Sequence, residues 1–316
     1  MNAYRSRFAN WDHTASVRSR PRPLLNHVVP QEIYFPPELV AVYSHPLVAA
    51  RGDTFQKRVL IHTLYQYLHF TSELEDLAVL PVAMNLSRGK SGLSLPAGVR
   101  RDAYNIVTDE AWHAQFSAQL LQDVARHTGE TVPDFGEPMF VARLKVIEAE
   151  LDTHVPNLGK LLFAIVSETL ISALLAGIPH DPRLPPAVRQ TVADHAIDEG
   201  RHHAYFKDIL VYLWADLTRA ERAQVGPWIP MIILAFLEPD YQAVCESLRL
   251  LGLGADETEA VLTESFPRAS VLANAGAAAK STIRYVAELG GLREPATADA
   301  FAIFGPLSTS DELVRP

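Results

Sequence analysis

Residues 161–178 read Leu-Leu-Phe-Ala-Ile-Val-Ser-Glu-Thr-Leu-Ile-Ser-Ala-Leu-Leu-Ala-Gly-Ile, and Glu168 is their only charge. A helix that is apolar on every face must be enclosed by other elements. Its length would also suit a membrane span, but a carboxylate at mid-bilayer is costly and no second span accompanies it. In a protein interior a carboxylate is protonated, paired with a cation or bound to metal. The helical neighbours Leu161, Ala164, Ile165, Ile171 and Leu175 offer no cation. Glu168 is therefore a candidate metal ligand on a helix that others surround.

A second feature supplies company for it. Asp109-Glu110-Ala111-Trp112-His113 and Asp198-Glu199-Gly200-Arg201-His202 share the pattern Asp-Glu-x-x-His. Glu and His three apart project from one helical face. One Glu-x-x-His arises roughly once by chance in a chain of this size, but two copies each preceded by Asp are far rarer. Two such pairs, joined by one Glu from each of two further helices, form the dinuclear site of ferritin-like bundles. Glu168 is one lone Glu. The other lies on a helix expected from Thr54 to about Leu80, where Leu68, Thr71, Ser72, Glu75 and Val79 share a stripe. Glu75 is the choice there, with Glu73, off the stripe, in reserve.

Spacing agrees. Glu75 precedes Glu110 by 35 residues and Glu168 precedes Glu199 by 31, each interval fitting one helical hairpin. The longer gap from His113 to Glu168 fits the crossover between two hairpins. Glu110 and His113 share their face with Tyr104, Val107, Ala114 and Ser117. His195 lies four before Glu199 and seven before His202, so all three line one stripe and allow a third histidine ligand. His203 could also face inward, but the repeat selects His202. Asp109 and Asp198 each stand four before a repeat histidine. Either could accept the far N–H of a ligating imidazole, within its own helix or across to the other pair.

Elsewhere the pattern is helical and proline-punctuated. Helices are expected at about Ala97–His127, Val141–Leu151, Leu161–Ile178 and Val188–Leu217, with shorter ones, broken at Pro227, Pro230, Pro239 and Pro267, to about Leu289. Pro81 should end or kink the helix before it. Gly89-Lys90-Ser91 imitates a phosphate-binding loop, but Met84 replaces its first glycine and no strand precedes it. No run alternates like a strand. The fold expected is all-α: a ferritin-like four-helix bundle core with additional N- and C-terminal helices. Residues 31–290 form its single domain, residues 1–30 a basic disordered tail and residues 291–316 a C-terminal tail. The first stretch carries Arg5, Arg7, Arg18, Arg20 and Arg22 without the apolar core of a secretory signal. A net charge of −9 argues against nucleic acid or an anionic membrane as partner. The single cysteine, Cys245, excludes an internal disulfide and suits a reducing cytoplasm.

These residues resemble the p-aminobenzoate N-oxygenase family of non-haem di-iron enzymes over roughly residues 40–290. The resemblance rests on Glu75 followed by Pro81, on Asp109-Glu110-x-x-His113, on Ser167-Glu168-Thr169 before Ala173-Leu174-Leu175, and on His195-x-x-Asp198-Glu199-x-x-His202. It implies metal ligands Glu75, Glu110, His113, Glu168, His195, Glu199 and His202, with His195 the addition that ordinary di-iron bundles lack. It also implies two iron ions, O₂ as co-substrate, an external electron donor or peroxide, a homodimer, and oxidation of an amine to hydroxylamine, nitroso or nitro. No flavin or ferredoxin domain is recognisable, so an external reductase is expected.

The substrate does not carry over. The helix from Ile61 to Pro81 and that from Leu161 to Ile178 contain no Arg or Lys to hold an aminobenzoate carboxylate. Tyr67, Phe70, Leu74 and Ser172 could border an apolar pocket. The small-molecule amine is therefore expected to lack a free carboxylate there, or to be aliphatic or carrier-bound. A C–H hydroxylase or desaturase on the same metal core is the competing reading. A ferritin-like iron oxidase and a non-catalytic helical protein stand behind it.

Overall fold

A computed structural model describes residues 4–25, 33–151, 153–175 and 177–305, with the side chains of 172–175 excluded. Every regular element among them is helical. In order they are α1 (Trp11–Thr14), α2 (Ser16–Ser19), α3 (Pro46–Ala49), α4 (Asp53–Leu74), a π-helical turn (Glu75–Val79), α5 (Leu80–Ser87), α6 (Ala97–Thr128), α7 (Met139–Glu150), α8 (Leu158–Leu175) and α9 (Pro186–Asp216). There follow α10 (Arg219–Val225), α11 (Ile229–Leu237), α12 (Tyr241–Leu250), α13 (Ala255–Ser265), α14 (Arg268–Ala278), α15 (Lys280–Glu288) and α16 (Pro295–Phe301).

The bundle is two hairpins: α4 and α5 pack on α6, and α8 packs on α9, with α6 against α9 closing it. The crossover between hairpins contains α7. Buried positions on α6 recur as Ala103, Ile106, Glu110, His113, Ser117, Leu120 and Val124, the stride of one helical face. On α9 they run Val188, Val192, His195, Glu199, His202, Phe206, Ile209 and Leu213. Tyr104 departs from the expected stripe and is exposed. The helix around Glu168 is buried on all sides: every residue from Leu161 to Ile171 is. Helices α9, α11 and α15 cover it. Among the described residues no helix is long and apolar enough to cross a membrane.

Pro81 does not end its helix. The chain widens into the π turn and continues as α5 to Ser87. Proline cannot donate to the carbonyl four residues back, and a wider turn accommodates its ring. Burial then recurs every four residues, at Glu75, Val79, Ala83 and Ser87, while Asp76 and Leu77 face out.

Both expected tails depart from that reading where they are described. Residues 4–25 lie across the bundle, with α2 touching α6 and α9 and with Phe8 and Ala15 buried. The arginines are fasteners: Arg7 pairs with Asp208, Arg20 with Asp194 and Arg22 with Asp123. Partly exposed pairs add little each, so apolar burial carries most of the docking. At the other end α16 buries Phe301 and sets Thr297 against Gly226, where an added Cβ would stand 2.1 Å from the Thr297 hydroxyl. Residues 26–30 and 306–316 lie outside the described residues. One apolar core cluster includes residues from Phe8 to Phe301.

Candidate metal centre

All seven side chains expected from the sequence converge inside the bundle, none more than 1% exposed. Glu75 comes from the start of the π turn, Glu110 and His113 from α6, Glu168 from α8, and His195, Glu199 and His202 from α9. Three overlapping groups have candidate ligand atoms within 4.8 Å of one another: Glu110, His113, Glu199 and His202; Glu75, His113 and His195; Glu75, Glu110 and Glu168. Glu73, the reserve, is only partly buried and stays outside them. His203 turns instead to the Tyr285 hydroxyl, 2.8 Å away.

The two repeat histidines are held the same way. His113 Nδ1 faces inward, 2.9 Å from Glu110 and 3.4 Å from Glu199. His202 Nδ1 faces Glu110 at 2.8 Å, Glu199 at 3.3 Å and Glu168 at 3.5 Å. Their outer nitrogens cross over. His113 Nε2 meets Asp198 at 3.2 Å, and His202 Nε2 meets Asp109 at 3.1 Å. Each aspartate of one repeat thus holds the imidazole of the other. His195 presents Nε2 to Glu199 at 3.1 Å and to Glu75 at 3.7 Å.

Beyond the aspartates lies the N-terminal segment. Trp11 Nε1–H donates to both oxygens of Asp109 at 2.9 Å. Asp198 accepts from the Ser16 backbone N–H at 3.2 Å, from the Ser16 hydroxyl at 2.6 Å, and from Arg201. These outer residues were not legible as functional. The only signal was apolar spacing at Phe8, Trp11 and Ala15, masked by the arginines around them.

Charge is unevenly shared. Burial, with the charges of Glu110, Glu168 and Glu199, pushes the Glu75 carboxyl well above the usual range; burial and Glu199 do the same to Glu168. Burial would also raise Glu199 and Glu110, but the neighbouring imidazoles outweigh it and both fall below their ordinary value. His113, despite burial, is raised to about 10 by Asp198 and Glu110, and His202 is raised by its carboxylates too. Burial and the charge on His113 lower His195. Burial raises Asp109. Asp198, equally opposed by burial, is lowered by His113 and Ser16.

A cavity of about 340 Å³ opens along α4 beside α11 and α12. Tyr67 and Phe70 line it, with His62, Gln66, Phe236 and Ser247. Leu74, expected at its border, is instead fully buried, and the Ser172 side chain lies outside the described residues. Burial pushes the Tyr67 phenol up. Thr71 opposes this with a hydrogen bond, and the charges of Glu199 and Glu75 add to it, so this side chain lies between cavity and cluster. His62 also lines the cavity. Neither of its ring nitrogens has a hydrogen-bond partner, and burial lowers it to about 4.

Fold and centre together define an all-helical carboxylate–histidine protein with a buried cluster able to hold metal. A profile of the p-aminobenzoate N-oxygenase AurF family matches residues 16–290. A 4-aminobenzoate N-oxygenase of Streptomyces thioluteus is 25% identical over 227 residues, which cover 71% of this chain and 67% of that protein. The chain belongs to the p-aminobenzoate N-oxygenase AurF family, and as such is an oxidoreductase of the N-oxygenase type.

Proposed function

We propose that this chain is a non-haem di-iron monooxygenase that oxidises an amine nitrogen toward hydroxylamine, nitroso or nitro. One observation carries the reading. Both oxygens of Glu75, Glu168 and Glu199, with Glu110 Oε1, His195 Nε2 and His202 Nδ1, are buried without a hydrogen-bond partner. Buried carboxylates in that state cost several kcal/mol each unless a proton or a cation satisfies them. A carboxylate and imidazole donor set without thiolate suits iron. Glu75, Glu110, His113, Glu168, His195, Glu199 and His202 would hold two ions. Bound iron supplies activation of O₂ for transfer of oxygen to nitrogen.

The chain's own residues do the rest. Asp109 and Asp198 accept from the outer N–H of His202 and His113, fixing each tautomer so that Nδ1 offers its lone pair inward. His195, kept neutral, adds a third nitrogen donor. The apolar wall of α8 excludes water from the reacting centre. Loading with ferrous iron should give about two ions per chain. A His113→Ala variant should lose most of that iron, and a chain that never takes up more than traces would sink the reading. His195→Ala should keep the fold and lose the reactivity of the oxidised state.

For the amine we infer the α4 cavity. None of its described lining residues is Lys or Arg, His62 stays neutral, and Glu238 is already paired with Arg143 and Arg268. A substrate carboxylate would meet no cation among those lining residues themselves. The substrate is therefore an amine lacking a free carboxylate at that end, or an aliphatic or carrier-bound one. Given an external reductase and O₂, the enzyme should oxidise methyl 4-aminobenzoate more efficiently than 4-aminobenzoate. Preference for the free acid would reject this specificity. Oxygen found on carbon would favour a C–H hydroxylase instead.

A further inference from the structure

None of the seven converging side chains is more than 1% exposed, so a protein donor cannot touch them. Its electrons must cross a protein shell, and the two outer imidazole nitrogens define two ways through. From His113 the path reaches Asp198 and stops at Ser16 and Arg201, neither of them aromatic. From His202 it reaches Asp109 at 3.1 Å and then the Trp11 indole at 2.9 Å. Two hydrogen bonds thus join an indole to an imidazole of the cluster. Trp11 is only partly buried, with the Arg18 guanidinium 5.6 Å from its ring centroid.

Another partly exposed indole lies nearby but is coupled differently. Trp112 meets Phe116 edge-on at 5.8 Å, and Phe116 lies 5.3 Å from His113 and 5.8 Å from His195. That route consists of ring contacts alone and passes through a phenyl group. The family match begins at residue 16, so Trp11 lies outside it.

We propose that Trp11, Asp109 and His202 form the path by which electrons pass from a protein donor at the surface to the buried centre. This rests on the di-iron reading above. The donor is a one-electron carrier of the iron–sulfur or flavoprotein class. Two successive transfers oxidise two equivalents of donor and take two ferric ions to two ferrous ions. No bond in the path breaks, no proton leaves it, and indole, carboxylate and imidazole end unchanged. The indole supplies an extended π system at the surface, and hydrogen bonds replace through-space gaps behind it. Asp109 is a positioning residue for both rings.

The test follows iron, not product. Ferric-loaded full-length protein is mixed anaerobically with a reduced [2Fe–2S] ferredoxin, and loss of ferric absorbance is timed. Trp11→Phe keeps a ring but loses the N–H, and should slow reduction about tenfold or more, with iron retained and no shift in midpoint potential large enough to account for the slowing. Trp112→Phe, a matched indole, should leave the rate unchanged. So should Arg7→Ala, which frees Asp208 and loosens the same segment without touching the indole or either aspartate. An unaltered rate in Trp11→Phe, equal slowing in either control, or a potential shift that accounts for the slowing would each overturn the path. Wild-type protein that holds no iron would sink the di-iron reading itself. Normal iron with unaltered Trp11→Phe kinetics would sink the path alone.

Discussion

The two sides of the central cluster are built on opposite rules. On the side covered by residues 4–20, polar atoms are matched: His202 with Asp109 and Trp11, His113 with Asp198 and Ser16. On the side facing α4, several are not. Glu75 and His62 have oxygens and nitrogens with no hydrogen-bond partner, Glu130 coming no nearer to His62 Nε2 than 3.8 Å, and an open cavity lies alongside His62. Matched groups hold a geometry, because each imidazole has one orientation and one tautomer that satisfies it. Unmatched buried groups cost stability, and a metal ion or a ligand is one way to satisfy them. On the proposed di-iron reading, the first side orients the centre and the second receives.

The largest expected effect breaks the matched side. Asp198→Asn leaves Arg201 without its carboxylate and His113 without its charged acceptor. It should cost about 3 kcal/mol of stability and lower metal affinity about 10- to 100-fold. Asp109→Asn removes no partner from a guanidinium and still offers the indole an acceptor, so about 1 kcal/mol is expected. Urea unfolding and chelator competition on both variants check the pair. Equal losses would show that the outer partners of the two aspartates do not matter.

A smaller effect probes the receiving side. His62 has an ordinary value of 6.5 and sits at about 4 in the folded protein. Between those limits the unfolded chain binds the proton more readily. The stabilisation from keeping this ring neutral is therefore complete above pH 6.5 and is lost as pH falls toward 4, up to about 3 kcal/mol in all. His62→Leu should flatten the stability profile across that window in urea titrations. A profile as steep as that of the wild type would mean that the ring is already solvated or charged. Smallest of all is Glu73→Gln, which removes an acid outside the cluster. Stability should move by no more than about 0.5 kcal/mol, and iron content should not change. A loss of iron would put Glu73 at the centre in place of Glu75.

Much of the centre was legible because a helix converts spacing into direction. Glu110 with His113, and His195 with Glu199 and His202, needed only the helical period to share a face. Glu168 needed only its apolar neighbours. Choosing Glu75 over Glu73 followed from the stripe of Leu68, Thr71 and Ser72. Pro81 does not end the helical run, because a π turn absorbs a proline that a regular helix would not. The basic N-terminus misled. A run of arginines looks like a solvated tail until Asp208, Asp194 and Asp123 are seen opposite three of them.

The sequence by itself determined which side chains share a helical stripe, that the chain is all-α, and that Glu168 had to find a partner in the interior. Those follow from local periodicity and from the cost of burying charge. Tertiary structure alone decided that each repeat aspartate serves the other repeat's histidine, and that Trp11 and Ser16 stand behind those aspartates. These contacts join residues 85 to 182 positions apart. Helical spacing sets which way a side chain leaves its own axis. What it meets depends on how α6, α9 and the N-terminal segment pack against one another.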